Sequence, residues 1–233
     1  MDRSSPEDVA LPSVCTFDCY GTLIDWEGGL GGFLYDYALR QRDDGMNGRE
    51  LRERWEAIQF EVIQGDYRRY ADVLADSLRR LSEERGWTYT EDEGKALARS
   101  MRSWQPFPDT APALRRAHAA GVRLVIVSNT DRDILEHSLR HIEAPIDAVV
   151  TADDVGSYKP APPHFERALE VAGVPAEQIL HVAFGFKYDI ASAQRLGFRS
   201  AWVNRRGEPR PGAAVPDLEW RDLWGLAEFA SAR

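Results

Sequence analysis

Strands alternate with helices over the second half of the chain, and this rhythm limits the fold more than any other feature. Apolar runs that suit short buried strands lie at 122–127, 148–150, 180–183 and 201–203. Helical patterns separate them at 110–120, from 132, at 162–172 and at 189–196. This alternation is typical of a parallel sheet with helices on both faces. We therefore predict an α/β fold with a Rossmann-like, doubly wound parallel sheet as its core.

One strand of the sheet comes much earlier, at Val14–Phe17, and a long helical stretch follows it. Between residues 30 and 103 the apolar residues keep helical spacing and no convincing strand is found. Glycine- and proline-bearing segments at 25–29 and 105–109 flank this stretch, and we interpret them as linkers. A last helix is expected at 218–230, packed on the core.

These boundaries predict two domains. Residues 10–25 and 105–233 are expected to form the Rossmann-like core, and residues 26–104 an all-helical cap inserted after the first strand. The chain has 233 residues, of which 43% are hydrophobic, enough for a packed core of this size.

Charge and cysteine content limit the kinds of partner that the protein can bind. A formal net charge of −9 argues against nucleic acid or an anionic membrane as a partner. No apolar run approaches the length of a membrane span, and the acidic, polar amino terminus does not resemble an ordinary signal peptide. The cysteines, Cys15 and Cys19, lack a second pair for a metal or redox site, and we expect them to stay reduced. These features favour a cytoplasmic protein that acts on small molecules.

The segment Phe17-Asp18-Cys19-Tyr20-Gly21-Thr22-Leu23 carries the first chemical signal. It places a carboxylate at the end of a buried strand, where ligands bind in open α/β sheets. Gly21 and Thr22 then suit a tight loop whose backbone N–H groups point at an anion. Asp18 can act as a nucleophile that forms a covalent ester. The alternative is an aspartate that merely caps a helix.

Three further polar groups follow predicted strands or turns of the core. They are Ser128-Asn129-Thr130 after strand 122–127, Lys159-Pro160 in a turn, and Asp189 after strand 180–183. Each of them alone also fits an ordinary structural role, as a turn, a solvated lysine or a helix cap. Together they would place an anion-binding amide and hydroxyl, an ammonium and a second carboxylate beside Asp18.

The order of these groups resembles the four-motif pattern of the haloacid dehalogenase superfamily, from Val14 to about Gly207. The resemblance implies that Asp18 is the nucleophile and that Lys159 keeps it ionised. It also implies that Asp189 pairs with Lys159 and orients a water molecule. Thr22 belongs to the same first motif and completes the expected catalytic set.

Tyr20 decides the branch of the superfamily that the chain resembles most. Phosphatases of the superfamily carry a second aspartate at that position, which protonates the leaving group and helps to hold Mg²⁺. Asp18-Cys19-Tyr20-Gly21-Thr22-Leu23 is instead similar to the first motif of the (S)-2-haloacid dehalogenases. With Asp189 as the only late acid, carboxylates are too few for a convincing Mg²⁺ site. We expect neither a metal nor another cofactor.

Aromatic residues replace polar ones that the dehalogenase group carries. Phe184 and Phe186 stand where that group has serine and asparagine, and Phe165 stands where it has tyrosine. We therefore expect Phe165, Phe184 and Phe186 to form an aromatic wall against the substrate, with plain core packing as the alternative.

The halide-binding arginine of the group has no certain equivalent here. Arg52 and Arg54 are the nearest candidates, while a gapless local match places Glu56 at that position. The resemblance therefore carries over to the nucleophile and its lysine, but not to the halide-binding residue.

The resulting hypothesis is a metal-independent hydrolase that forms an aspartyl ester on a small carboxylic acid, with hydrolytic dehalogenation of a 2-haloacid favoured. Groups expected to hold the substrate carboxylate and the oxyanion are Thr22, Ser128, Asn129 and the amides of Cys19 and Tyr20. Water is the second reactant, and a homodimer is compatible with the sequence. Other hypotheses are attack on another electrophilic carbon such as a strained-ring carboxylate, an atypical phosphatase, and a non-catalytic small-molecule-binding protein.

Overall fold

The computed structural model describes residues 10–43, 45 and 47–231. Regular elements over these residues follow in chain order: β1 (Val14–Phe17), α1 (Trp26–Arg40), α2 (Gly48–Val62), α3 (Tyr70–Arg85), α4 (Glu91–Ser100), α5 (Thr110–Ala119), β2 (Arg123–Ser128), α6 (Arg132–Ile142), β3 (Ala148–Thr151), α7 (Ala152–Val155), α8 (Pro163–Ala172), β4 (Ile179–Ala183), α9 (Ala191–Arg195), β5 (Arg199–Val203), β6 (Leu218–Trp220) and α10 (Trp224–Ser231). Short 3₁₀ turns occupy 101–103 and 176–178, and a π-helical turn occupies 186–190. None of the helices described is long and apolar enough to cross a membrane.

The six strands form one parallel sheet in the order β3-β2-β1-β4-β5-β6. At the centre, Phe17 of β1 is in register with Ile126 of β2 and Val182 of β4. The chain builds the sheet outward from β1 in both directions, which creates a switch point at the carboxyl ends of β1, β2 and β4. The predicted doubly wound α/β fold is confirmed.

Alternating side chains of the strands pack the two faces of the sheet. Cys15 and Phe17 point into a core that also contains Leu114 of α5 and Leu226 of α10. Val14 points to the opposite face, where it packs in a cluster with Phe165 of α8. This period of two is expected for a strand, and burial on both faces explains why the strands read as continuous apolar runs.

Helices α1–α4, here called the helical insertion, lie between β1 and α5 at the place predicted for the cap. The two chain crossings that join the insertion to the sheet run side by side. Asp25 donates its N–H to the carbonyl of Gln105 at 2.8 Å, and Phe107 donates to Leu23 at 3.0 Å. The insertion thus returns beside its point of departure, while the exact domain boundaries stay a prediction.

Two local predictions were wrong. Residues 25–29 are not a linker, because Asp25 accepts a hydrogen bond from the N–H of Gly28 and begins α1. The glycine at Gly29 serves packing, since a Cβ there would collide with the indole of Trp104. Residues 218–230 are not one helix either. Leu218–Trp220 pairs with β5 as an edge strand, and α10 begins only at Trp224.

Candidate active site

The polar groups predicted from the sequence meet at the carboxyl ends of the central strands. Asp18 follows β1, Ser128 ends β2 and Asp189 lies in the π-helical turn after β4. They border a cavity of about 100 Å³, which is small beside the roughly 300–1,000 Å³ pockets that suit drug-sized ligands. The residues that line it are Asp18, Tyr20, Trp26, Glu56, Gln59, Tyr70, Ser128, Asn129, Thr130, Lys159, Phe184, Gly185, Tyr188 and Asp189.

Lys159 lies between Asp18 and Asp189 and bonds to both. Its side chain is 1% exposed, and its ammonium donates all three protons. They go to Asp18 Oδ1 at 2.9 Å, Asp189 Oδ1 at 2.7 Å and the carbonyl of Val127 at 2.8 Å. Burial alone would lower the pKa of Lys159, but the two carboxylates raise it above its ordinary value. Lys159 is therefore a fixed positive charge, not a solvated turn residue.

The second oxygen of Asp18 is held by Thr22. The Thr22 hydroxyl donates to Asp18 Oδ2 at 2.9 Å and accepts a hydrogen bond from the backbone N–H of Phe184, also at 2.9 Å. Burial raises the pKa of Asp18; the charge of Lys159 opposes that rise and Asp189 adds to it. Both oxygens are thus oriented, and the bond to Lys159 favours the ionised form that can attack.

The Asp189 carboxylate lies close to Gly185, which has no side chain. A Cβ on Gly185 would stand 2.5 Å from Asp189 Oδ2, so the absence of a side chain lets the carboxylate fold back. His181 of β4 lies 3.2 Å from Asp189 Oδ1 and 2.8 Å from the hydroxyl of Thr16. Burial would raise the pKa of Asp189, but Lys159 and His181 lower it below its ordinary value. Asp189 therefore stays a carboxylate at neutral pH.

At the end of β2, the predicted substrate-binding residues are in part bound to the protein itself. The side chain of Asn129 accepts a hydrogen bond from the N–H of Lys159 at 2.6 Å and donates to its carbonyl at 3.0 Å. The Ser128 hydroxyl pairs with that of Thr130 at 2.8 Å. Asn129 thus holds the lysine turn, while Ser128 and Thr130 present a hydroxyl pair on the cavity wall.

Cys19 and Tyr20 have different surroundings. The Cys19 side chain is fully buried in the core, so that any contact of this residue with substrate would be through its backbone. Burial holds the pKa of its thiol well above the usual range, which makes the thiol unreactive. Tyr20 does line the cavity, and its hydroxyl pairs with Ser138 at 2.8 Å.

The predicted aromatic wall is only partly found. Phe184 lines the cavity, but Phe165 is fully buried behind β4, where its ring packs against His181 and Phe198. Phe186 is buried and packs edge-on against Trp202, with ring centroids 5.2 Å apart, where it borders a neighbouring cavity. Neither Phe165 nor Phe186 borders this cavity, because α8 directs Phe165 into the core and the π-helical turn directs Phe186 towards Trp202. Other aromatic residues take their place: Tyr20, Trp26, Tyr70 and Tyr188.

This difference predicts opposite effects for two neighbouring phenylalanines. Phe184→Ala should change the preference among small acids, because it enlarges the cavity beside Asp18. Phe186→Ala should instead destabilise the fold by about 3–5 kcal/mol, the range for truncating a buried phenylalanine. Thermal unfolding and kcat/KM for acids of increasing size separate the two. A Phe186→Ala protein of unchanged stability and altered preference would contradict the placement.

The helical insertion contributes a carboxylate to the cavity, not a guanidinium. Glu56 of α2 lines it, whereas Arg54 is on the surface and pairs with Glu84. Arg52 is buried, but it pairs with Glu27 at 2.9 Å and stands outside the cavity lining. Of the three alternatives that the sequence left open, the structure brings Glu56 to the site.

The sequence did not predict several residues that line the cavity or contact its carboxylates. His181 carried a usable signal, since a histidine inside a buried strand must find a partner. Gln59 had a weaker one: it is three residues from Glu56, on the same helical face, and its amide donates to the Tyr70 hydroxyl at 3.3 Å. Tyr70 and Tyr188 gave no signal beyond helical or turn patterns.

The donor set does not suit a divalent cation. Asp18 and Asp189 are the carboxylates beside the strand ends, and the ammonium of Lys159 bonds to both. Among the residues described, no group of three or more His, Cys, Asp or Glu side chains is arranged to hold a metal ion. Two carboxylates that share one ammonium are few ligands for a divalent cation, so we assign no step to a metal.

The comparisons with known proteins agree with this geometry. Residues 12–197 match the family model described as haloacid dehalogenase-like hydrolase. The chain belongs to this family. Haloacetate dehalogenase H-2 of Moraxella sp. (strain B) is 26% identical over 82% of this chain and 85% of its own length. (S)-2-haloacid dehalogenase 4A of Burkholderia cepacia is 27% identical, over 90% and 87% respectively.

A solved structure extends the agreement to three dimensions. The crystal structure of an L-2-haloacid dehalogenase superposes with a TM-score of 0.84 and 26% identity, covering 95% of this chain and all of that one. The haloacid dehalogenase-like hydrolase described here is therefore an enzyme by family, and its α/β fold matches that of this dehalogenase.

Proposed function

We propose that this hydrolase attacks an electrophilic carbon next to the carboxylate of a small acid, with Asp18 as the nucleophile. The observation that carries the proposal is Lys159, which bonds to Asp18 and Asp189 at once in a small cavity. An ammonium in this place keeps Asp18 ionised without occupying both of its oxygens.

Two steps complete the reaction. Asp18 displaces the leaving group in an SN2 step, so that a C–O bond forms, the bond to the leaving group breaks and its electron pair departs with it. Water then attacks the carbonyl carbon of the aspartyl ester, with Asp189 as the base that accepts its proton. The tetrahedral intermediate expels the product alkoxide, which takes the proton held by Asp189. The Asp18 carboxyl group then releases its remaining proton to water and is a carboxylate again. Lys159 stabilises the oxyanion of the second step.

Hydrolytic dehalogenation of a 2-haloacid is the reaction that the relatives favour, since their names give haloacetate and (S)-2-haloacids as substrates. Tyr20 supports the same reaction, because a departing halide needs no proton from an acid at that position. The test is a panel of chloroacetate, both enantiomers of 2-chloropropionate and a phosphate monoester, followed by halide, hydroxyacid and phosphate release. Phosphate release alone would overturn the proposal.

Activity should not depend on a divalent metal. The carboxylates that would coordinate the ion are bonded to Lys159, whose pKa is raised and whose charge is fixed. We expect kcat/KM on a haloacid to survive excess EDTA and to show no gain on addition of Mg²⁺. The control is a Mg²⁺-dependent phosphatase inactivated in the same buffer, and a requirement for Mg²⁺ here would contradict the assignment.

The pH dependence should reveal the environment of Asp18. Because burial raises the pKa of Asp18, the nucleophile loses its charge at a higher pH than an exposed aspartate does. We expect the acid limb of kcat/KM to lie above the ordinary aspartate range. Thr22→Val removes a hydrogen bond to the ionised form and should move that limb to still higher pH. An unmoved limb in Thr22→Val would show that another group controls it.

A further inference from the structure

Glu56 is a carboxylate in the cavity that the proposed reaction does not use. It is half-buried on α2, lines the cavity with Asp18, and makes no hydrogen bond or ion pair with any other residue described. Burial raises the pKa of its carboxyl group; Arg52 and Lys187 lower it, while Glu208 and Glu53 raise it. Its neighbouring cations have partners of their own: Arg52 pairs with Glu27, and Lys187 lies 3.0 Å from the centre of the Phe60 ring.

The charged side chains that line the cavity are mostly negative. Its ionisable lining groups other than tyrosines are three carboxylates and one ammonium, and that ammonium already bonds to two of the carboxylates. Partial negative charge that develops on a departing halide would gain nothing from Glu56. A positively charged group in the substrate would gain an ion pair in a site of low dielectric constant.

Aromatic rings point to the same kind of ligand. Trp26, Tyr70, Phe184 and Tyr188 line the cavity with Glu56. Aromatic faces attract organic ammonium groups, and cages of such rings are used to bind them. A carboxylate that lacks a hydrogen-bond partner and shares a cavity with aromatic rings is chemistry that can recognise a protonated amine.

We propose that Glu56 and these rings bind a protonated nitrogen of the substrate, and that the site opens a saturated three- or four-membered nitrogen ring bearing a carboxylate. This rests on the proposed aspartyl-ester chemistry and extends its leaving group from halide to nitrogen. Asp18 attacks the ring carbon next to the carboxylate. The C–N bond breaks, its electron pair stays on nitrogen, and the ring NH₂⁺ becomes a neutral primary amine that takes a proton from water. Ring strain supplies the leaving ability that an ordinary alkylammonium lacks.

Hydrolysis of the ester then gives a hydroxy acid that carries the amine on the same chain. The overall change is the ring acid plus one water, with no oxidant, reductant or metal. Glu56 binds the nitrogen and Asp18 forms the bond to carbon. Substitution of Glu56 should therefore weaken recognition of the nitrogen, whereas substitution of Asp18 should stop bond formation.

Binding tests the recognition directly. In the inactive Asp18→Asn protein, titration calorimetry should show azetidine-2-carboxylate bound about 10- to 100-fold more tightly than cyclobutanecarboxylate, which has the same ring size without nitrogen. Glu56→Gln should remove that preference. Glu50→Gln, the same change on the exposed end of α2, should keep it. Equal binding of the two ring acids, or a preference that survives Glu56→Gln, would overturn the inference.

Turnover separates this inference from the proposed function. With Asp18 intact, we expect ring opening of azetidine-2-carboxylate, and a fall of about 10- to 100-fold in Glu56→Gln relative to 2-chloropropionate turnover. Turnover of 2-chloropropionate without ring opening would reject nitrogen recognition and leave the aspartyl-ester hydrolase in place. No turnover of either acid, with no covalent labelling of Asp18, would reject both.

Discussion

Asp18→Asn should abolish sustained turnover while the protein stays folded. The amide cannot displace a leaving group, and Asp189, the other carboxylate at the strand ends, is bonded to Lys159 and His181. Removing a nucleophile of this kind leaves only the contribution of binding and of the remaining groups, so we expect a loss of at least about 10³-fold. Steady-state product release measures it, with thermal unfolding as the check on folding.

Asp36→Asn is the matched control, since Asp36 is exposed on α1 and far in sequence from the strand ends. Its activity should equal that of the unaltered protein. An Asp18→Asn protein that keeps more than a few per cent of the activity would mean that water attacks the substrate directly.

Isotope transfer tests the same nucleophile without a substitution. Hydrolysis at the ester carbonyl places a solvent oxygen in the Asp18 carboxylate, and the product carries an oxygen from the protein. Repeated turnover in H₂¹⁸O should therefore raise the mass of the peptide that contains Asp18, and of no other peptide. An unlabelled Asp18 after many turnovers would exclude the aspartyl ester.

The sequence predicted the sheet well because strands that are buried on both faces have an easily recognised residue pattern. Strands such as Val14–Phe17 are short apolar runs, and the polar residues that follow them mark the strand ends. Since parallel strands align those ends, the meeting of Asp18, Ser128 and Asp189 followed from topology alone. The resemblance to the haloacid dehalogenase superfamily was needed to add Lys159 to them, because a lysine in a turn is ordinarily solvated.

Side-chain direction in irregular segments was the part that sequence could not supply. Phe184 and Phe186 are two residues apart, yet one lines the cavity and the other packs on Trp202, because a π-helical turn begins at Phe186. Such turns have no reliable sequence signature. Phe165 was misplaced for a similar reason: its position relative to Lys159 matched the family, but α8 directs it into the core.

In the helical insertion, the sequence did not show which of three neighbouring residues faces the cavity. Arg52, Arg54 and Glu56 lie within about one turn of α2, and helical spacing does not say which faces the sheet. Rotation of the helix places Trp55 in the core, Arg54 in solvent and Glu56 at the cavity. The rotation of α2 therefore determines whether the insertion contributes a cation or an anion to the cavity.

Lys159→Ala should cost about 10²–10³-fold or more in kcat, the effect of losing a buried group that stabilises developing charge. Without the ammonium, the pKa of Asp18 loses its main lowering influence, and Asp18 and Asp189 repel each other. Part of the Asp18 population then becomes protonated and cannot attack. The oxyanion of ester hydrolysis also loses its cation, so the aspartyl ester should accumulate and be visible in the intact protein mass.

The structural cost of Lys159→Ala requires its own readout. Removing one partner of a buried ion pair typically destabilises a protein by about 3–5 kcal/mol, so lost activity alone would be ambiguous. Addition of methylammonium should restore part of the activity, because a small cation can enter the space left by the side chain and bond to both carboxylates. Lys95→Ala, on the exposed face of α4, should lose nothing and gain nothing from the amine. Activity of Lys159→Ala close to that of the unaltered protein would show that the charge between Asp18 and Asp189 serves stability and not the reaction.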